Sequence, residues 1–127
     1  MAKPPKSMIE VVLPDPKLIN ATTASDYIKR GWLYYSTKNY PLAESDFYKA
    51  LDLDPDNPDT LYALALALKA DGKSQPAIEN FEKTIKVIDS FEDRVRAQML
   101  KRLAIGHINQ IKTGDWNLEK EMWHTKR

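Results

Sequence analysis

Cysteine is absent from this chain of 127 residues. That excludes disulfides, thiolate metal sites and a cysteine nucleophile. An excess of either charge is also missing: 19 Lys and Arg face 18 Asp and Glu, for a net charge of +1. Nucleic-acid binding usually shows as a strong basic excess, so nucleic acid is not expected as a partner. Lys120, Lys126 and Arg127 read as a solvated helix end. The two histidines, His107 and His124, stand apart from any ligand cluster, so neither a metal site nor catalysis at His107 is expected. Asp52-Leu53-Asp54-Pro55-Asp56 lacks the central Gly and the bidentate Glu of a calcium loop. No glycine-rich phosphate loop, nucleophile elbow or paired-carboxylate constellation occurs, so the chain is not expected to be an enzyme or to hold a cofactor. The longest apolar run, Ala63 to Leu68, is far too short to cross a bilayer. The opening MAKPPKSMIEVVLP has no apolar stretch long enough for a signal peptide. A soluble cytoplasmic protein without membrane contact is expected.

What the chain does have is a match to itself at a spacing of 34 residues. Tyr27, Gly31, Tyr34, Ala43, Phe47 and Ala50 recur as Leu61, Ala65, Leu68, Ala77, Phe81 and Thr84. A fixed period of this length signals stacked units, none of which can bury its apolar face alone.

The local pattern within the units is helical. Thr22 or Thr23 can cap a first helix, with Asp26 in its first turn. Pro41 suits the first turn of a second helix, whose inner stripe is Leu42, Ala43, Phe47, Ala50 and Leu51. Asp54-Pro55-Asp56-Asn57-Pro58 stops it. Thr60 to Ala70 is rich in helix-forming Ala and Leu, and Gly72 suits a left-handed helix end. Ser74 can cap the fourth helix, which buries Ala77, Ile78, Phe81, Ile85 and Val87 or Ile88. A longer helix is expected from about Glu92 to Lys112, then a last one from about Asn117 to His124. In this third unit Gly72 and Phe81 find counterparts at Gly114 and Trp123, a spacing of 42, so the helix phase stays open between Gly106 and His107. Residues 1–21 read as an extended tail holding four of the eight prolines, with an apolar run from Met8 to Leu13.

Gly31, Tyr34, Tyr40, Ala43, Phe47, Ala50 and Asp54-Pro55, followed by Leu61, Ala65, Leu68, Gly72, Ala77 and Phe81, resemble the tetratricopeptide repeat. The resemblance implies an all-α fold. It would be a right-handed superhelical stack of antiparallel helix pairs, about three of them, in a domain spanning 22–127. The repeats would lie at about 24–57, 58–91 and, degenerate, 99–127. Lys38 stands where a turn glycine is common, and Asp89 replaces a closing proline.

In this family the first helix of each pair lines a concave groove that holds a peptide. Carried over, the groove would show Ile28, Trp32 and Tyr35, then Tyr62, Leu66 and Lys69, then Lys101, Ala104, Ile108 and Lys112. The Lys and Asn clamp that some members use for a terminal carboxylate is not matched at Ile28 and Trp32. The implied function is a protein–protein interaction module, adaptor or chaperone-like, that holds an extended apolar peptide in an aromatic groove. The alternative is a structural subunit or homodimer that uses the same face and the N-terminal tail. The partner is then a protein or peptide, the chain's own tail, or a second copy.

Overall fold

The computed structural model describes residues 14–116 and Leu118. These residues are helical, with no strand among them. After a short 3-10 turn at Pro16–Leu18 come α1 (Ala24–Ser36), α2 (Tyr40–Leu53), α3 (Pro58–Ala70), α4 (Ser74–Ile88) and α5 (Arg94–Thr113). α1 packs on α2 and α3 on α4, while α2 meets α3 and α4 meets α5. The result is an α-solenoid of stacked helix pairs. The expected segment at Met8–Leu13 and, apart from Leu118, the expected helix at Asn117–His124 lie outside the described residues.

Caps set most of the boundaries. Thr23 and Asp26 form a reciprocal box: the Thr23 hydroxyl accepts from the Asp26 amide at 3.1 Å, and the Asp26 carboxylate accepts from the Thr23 amide at 3.2 Å. Two orphan donors are satisfied at once. α3 starts earlier than its Ala and Leu content alone suggests. Asn57 accepts from the amides of Asp59 and Thr60, and Pro58 occupies a first-turn position, where its missing N–H costs nothing. The same dipeptide that ends the preceding turn therefore begins the next helix. Ser74 is the first residue of α4 and not its cap; that position falls to Lys73, which makes no side-chain capping bond. Asp93 caps α5 through the Arg96 amide at 3.0 Å.

The 34-residue period extends to individual turn hydrogen bonds. Lys38 and Gly72 both take left-handed backbone, at φ 65° and 78°. Asn39 N–H donates to the Tyr34 carbonyl at 2.8 Å, and Lys73 N–H to that of Leu68 at 2.9 Å. Lys38 N–H and Gly72 N–H close the inner rings on Tyr35 and Lys69. This is the Schellman ending, in which glycine avoids the Cβ penalty. Lysine at φ 65° carries that penalty, about 1–2 kcal/mol, against about 0.4–1 kcal/mol that a glycine would return to the unfolded chain. Lys38→Gly is therefore expected to raise stability by about 0.5 kcal/mol, and Gly72→Ala to lower it. Paired urea titrations read both signs.

The core runs along the whole stack. Phe47 and Phe81 are fully buried, as are Ala43, Ala63, Leu64, Ala65, Ala67, Ala77 and Ala104. α3 is apolar nearly all round because it has neighbours on both sides. A second cluster joins Ile88, Ala97 and Leu100, with Phe91 against it. Burying a Phe, Leu or Ile side chain contributes about 1.5–3 kcal/mol. Leu42, expected on the inner stripe of α2, is instead 42% exposed. Small residues permit the close helix contacts. A Cβ built on Gly31 would stand 2.6 Å from the Phe47 ring.

Polar seams fix how the parts sit together. Arg30 on α1 binds the buried Asp46 on α2 through two bonds of 2.8 and 2.9 Å, and also donates to the Ile19 carbonyl at 3.2 Å. One guanidinium thus joins the first helix pair and ties down the residues that precede it. Across the next junction, Lys73 Nζ meets the buried Glu44 of α2 at 2.8 Å and Asp71 at 3.4 Å. Burial pushes the Glu44 carboxyl upward in pKa, against the pull of Lys73.

Candidate functional site

Gly106 settles the phase of α5. It is buried, and a Cβ on it would run into the Trp116 ring. It is the third buried small residue of this kind, after Gly31 and Ala65. The residues three before, one after and four after each of these are Ile28, Trp32 and Tyr35; Tyr62, Leu66 and Lys69; and Leu103, His107 and Gln110. This common register puts equivalent positions of α1, α3 and α5 on one face. α1 touches α3, and side chains bridge α3 to α5.

The aromatic residues form two groups. In the first unit the Trp32 ring meets Phe47 edge-on at 5.3 Å and Tyr35 at 5.5 Å, and Tyr35 in turn meets Tyr40 at 5.5 Å. Trp32 remains 38% exposed. A buried phenyl ring therefore fixes the angle of an indole that solvent can still reach. The second group joins the second and third units. His107 stacks on Phe81 at 5.0 Å, with Tyr62 at 5.7 Å from both rings and Trp116 edge-on at 4.8 Å.

His107 also organises the polar part of this face. Lys69 Nζ lies 2.9 Å from His107 Nδ1 and bonds Gln110 Oε1. The Tyr62 hydroxyl lies 3.0 Å from His107 Nε2. An ammonium only donates, so Nδ1 accepts and the proton sits on Nε2, which donates to the tyrosine oxygen. Burial first, and then the Lys69 charge, lowers the His107 pKa to about 4. Burial also lowers the pKa of Lys69. For Tyr62, burial and the charge of Tyr35 raise it. Asp59 and Arg96 make a further α3–α5 bridge at 2.6 Å, but it is exposed and contributes little.

A pH dependence follows. The unfolded chain protonates His107 near its ordinary value of 6.5, while the folded chain resists until about pH 4. The unfolded state binds more protons across that window, so stability falls as pH drops from about 6.5 to 4. Solvent screening at a half-buried ring limits the loss to about 1–2 kcal/mol. His107→Gln should flatten this component when urea midpoints of the two proteins are compared across the window.

The structure places the eight residues of the expected groove as follows. Ile28 and Lys101 are half-buried, as is Leu66, which packs on the core together with Ile108. Tyr35, Tyr62 and Lys69 belong to the networks above, and Trp32 is the most open. Ala104 is core and Lys112 is exposed. The register about Gly106 adds Leu103, His107 and Gln110, which the sequence reading did not include. The signal was present: counting from Gly106 by the offsets of Gly31 and Ala65 reaches all three. A separate recess of about 550 Å3, lined by Leu51, Pro55, Leu61, Lys83 and Lys86 among others, includes none of the eight.

Residues 24–57 match the tetratricopeptide repeat, and residues 47–79 match a second tetratricopeptide repeat pattern. A TPR repeat-containing protein of Methanocaldococcus jannaschii is 36% identical over 77 residues, which is 59% of this chain and 13% of that relative. The chain thus spans about an eighth of the relative's length. No solved structure matches it. No helix among the described residues is long and apolar enough to cross a membrane.

Proposed function

Because this chain is a tetratricopeptide repeat protein across residues 24–79, and such repeats mediate protein–protein contacts, we propose that the face shared by α1, α3 and α5 is its binding groove. It holds an extended apolar segment of a protein, in the manner of an adaptor or chaperone-like module, and performs no catalysis. The observation that carries this reading is Trp32. Its ring angle is set by Phe47 and Tyr35, yet 38% of the residue faces solvent. Pre-oriented Trp and Tyr side chains dominate binding energies because little ordering entropy remains to be lost. Two or three anchors at about 1.5–3 kcal/mol each give roughly micromolar affinity after ordering costs.

The test is affinity capture with mass spectrometry, followed by titration of peptides from whatever is captured. Trp32→Ala should weaken binding about 10- to 30-fold, or about 1.5–2 kcal/mol, with helicity unchanged by circular dichroism. Unchanged affinity in a folded Trp32→Ala protein would remove the reading.

A second reading makes the chain a structural subunit or a homodimer. Val95, Met99 and Leu103 favour it. They recur every fourth residue along α5 and are 79%, 61% and 37% exposed. A permanent interface would bury such a stripe. Sedimentation decides between the two: a monomer supports the adaptor, a dimer the subunit.

A further inference from the structure

The groove face contains a cation without an acid. Arg30, Lys73 and Arg96 each pair with a carboxylate. Lys69 is half-buried and its ammonium points at two neutral acceptors, His107 Nδ1 and Gln110 Oε1. Among the described residues no carboxylate pairs with it. An ammonium carries three N–H donors, so one is left for a further acceptor. A cation partly withdrawn from water gains most from an ionised partner.

We propose that the chain's own segment Met8–Leu13 occupies the groove, with Glu10 against Lys69. The proposal rests on the groove reading above and names its occupant. Composition is the first argument. Met8-Ile9-Glu10-Val11-Val12-Leu13 is apolar apart from Glu10, which is the only acid in the first 14 residues. An aromatic face with a half-buried cation that has no acid beside it is complementary to an apolar strand with a single anion. Attachment is the second argument. Asp15 caps the turn at Pro16–Leu18, and the Ile19 carbonyl is held by Arg30 of α1. The turn that follows the segment therefore lies against the helix that carries Trp32. Reach is the third argument. Glu10 is four residues before Pro14, and four extended residues span up to about 14 Å, more than the roughly 10 Å between neighbouring helix axes.

The experiment uses the full chain, whose lack of cysteine makes a single introduced thiol unique. Ser7→Cys carries a nitroxide, and paramagnetic broadening is read on the backbone amides of Leu66, Lys69 and Gln110. Most of their intensity should be lost relative to the reduced label. Either single reversal, Glu10→Lys or Lys69→Glu, should restore it, and the double reversal should abolish it again. Absence of broadening in the parent protein would overturn the proposal. So would broadening seen only between molecules in a mixed-isotope sample, which would make a second copy the occupant. Broadening that survives both single reversals but vanishes with Trp32→Ala would remove the Glu10–Lys69 pairing and leave the groove standing. Capture of partners that depends on Trp32, with no broadening at all, would leave the groove standing with a foreign occupant only.

Discussion

Replacing Gly31 with leucine is expected to leave the chain without its cooperative fold. The backbone of α1 lies against the fully buried Phe47, whose ring carbons would be 2.6, 2.9 and 3.0 Å from the first added carbon. Contacts that short force the helices apart, and leucine adds three more carbons beyond the Cβ. Overpacking a rigid core costs about 1–3 kcal/mol and more when the backbone must move. A domain of this size has a total of about 5–15 kcal/mol. Phe47 also supports Trp32, so the displaced ring would carry the groove with it. Gly31→Ala is the graded version, in which about 1 kcal/mol of helix propensity offsets part of the clash. Circular dichroism should show Gly31→Leu largely unfolded and Gly31→Ala folded but less stable, while Trp32→Ala, one residue along, stays near wild type. A Gly31→Leu protein with native thermal stability would mean that α1 and α2 are not held in this contact.

The second large effect is expected at Arg30. Asp46 is almost wholly buried, and its two carboxylate oxygens receive the guanidinium at 2.8 and 2.9 Å. That hydrogen bond, ahead of the cost of burial, raises the Arg30 pKa further. Arg30→Ala removes the only cation paired with Asp46 among the described residues and strands a buried charge, at a cost of about 3–5 kcal/mol. It also frees the Ile19 carbonyl. The double change Arg30→Met with Asp46→Leu should recover most of the loss, because apolar replacement of both partners is often neutral or better. Urea unfolding of the two proteins measures this. Similar midpoints would show that the pair does not hold α1 to α2.

Much of this arrangement could be read from the sequence, and the rest could not for definable reasons. The Thr23 cap, the left-handed turn at Gly72 and the helix pairs depend on neighbours in the chain, and local pattern reports neighbours. Arg30 and Asp46 are sixteen residues apart on different helices, and nothing in either helix marks them as partners. Glu44 reads as a surface residue of α2, because its burial is imposed by Lys73 and Asp71 from the next unit. At Asn57-Pro58 the local signal supports both an ending and a beginning, and both occur. The α5 phase needed Trp116, since only its ring shows that Gly106 is the close contact. Once that is fixed, His107 moves from an isolated residue to the centre of a network with Tyr62, Lys69, Phe81 and Trp116. The groove residues themselves came from family resemblance, and their binding role rests on the proposals made above.

The turn that closes α1 and the turn that closes α3 use the same two-bond pattern at the same phase of the chain. Because the same backbone bonds end the first helix of both pairs, the bend from first helix to second is specified by the main chain and not by the side chains around it. Side chains elsewhere on a pair are then free to change without altering that bend, which separates the shape of a unit from what it recognises.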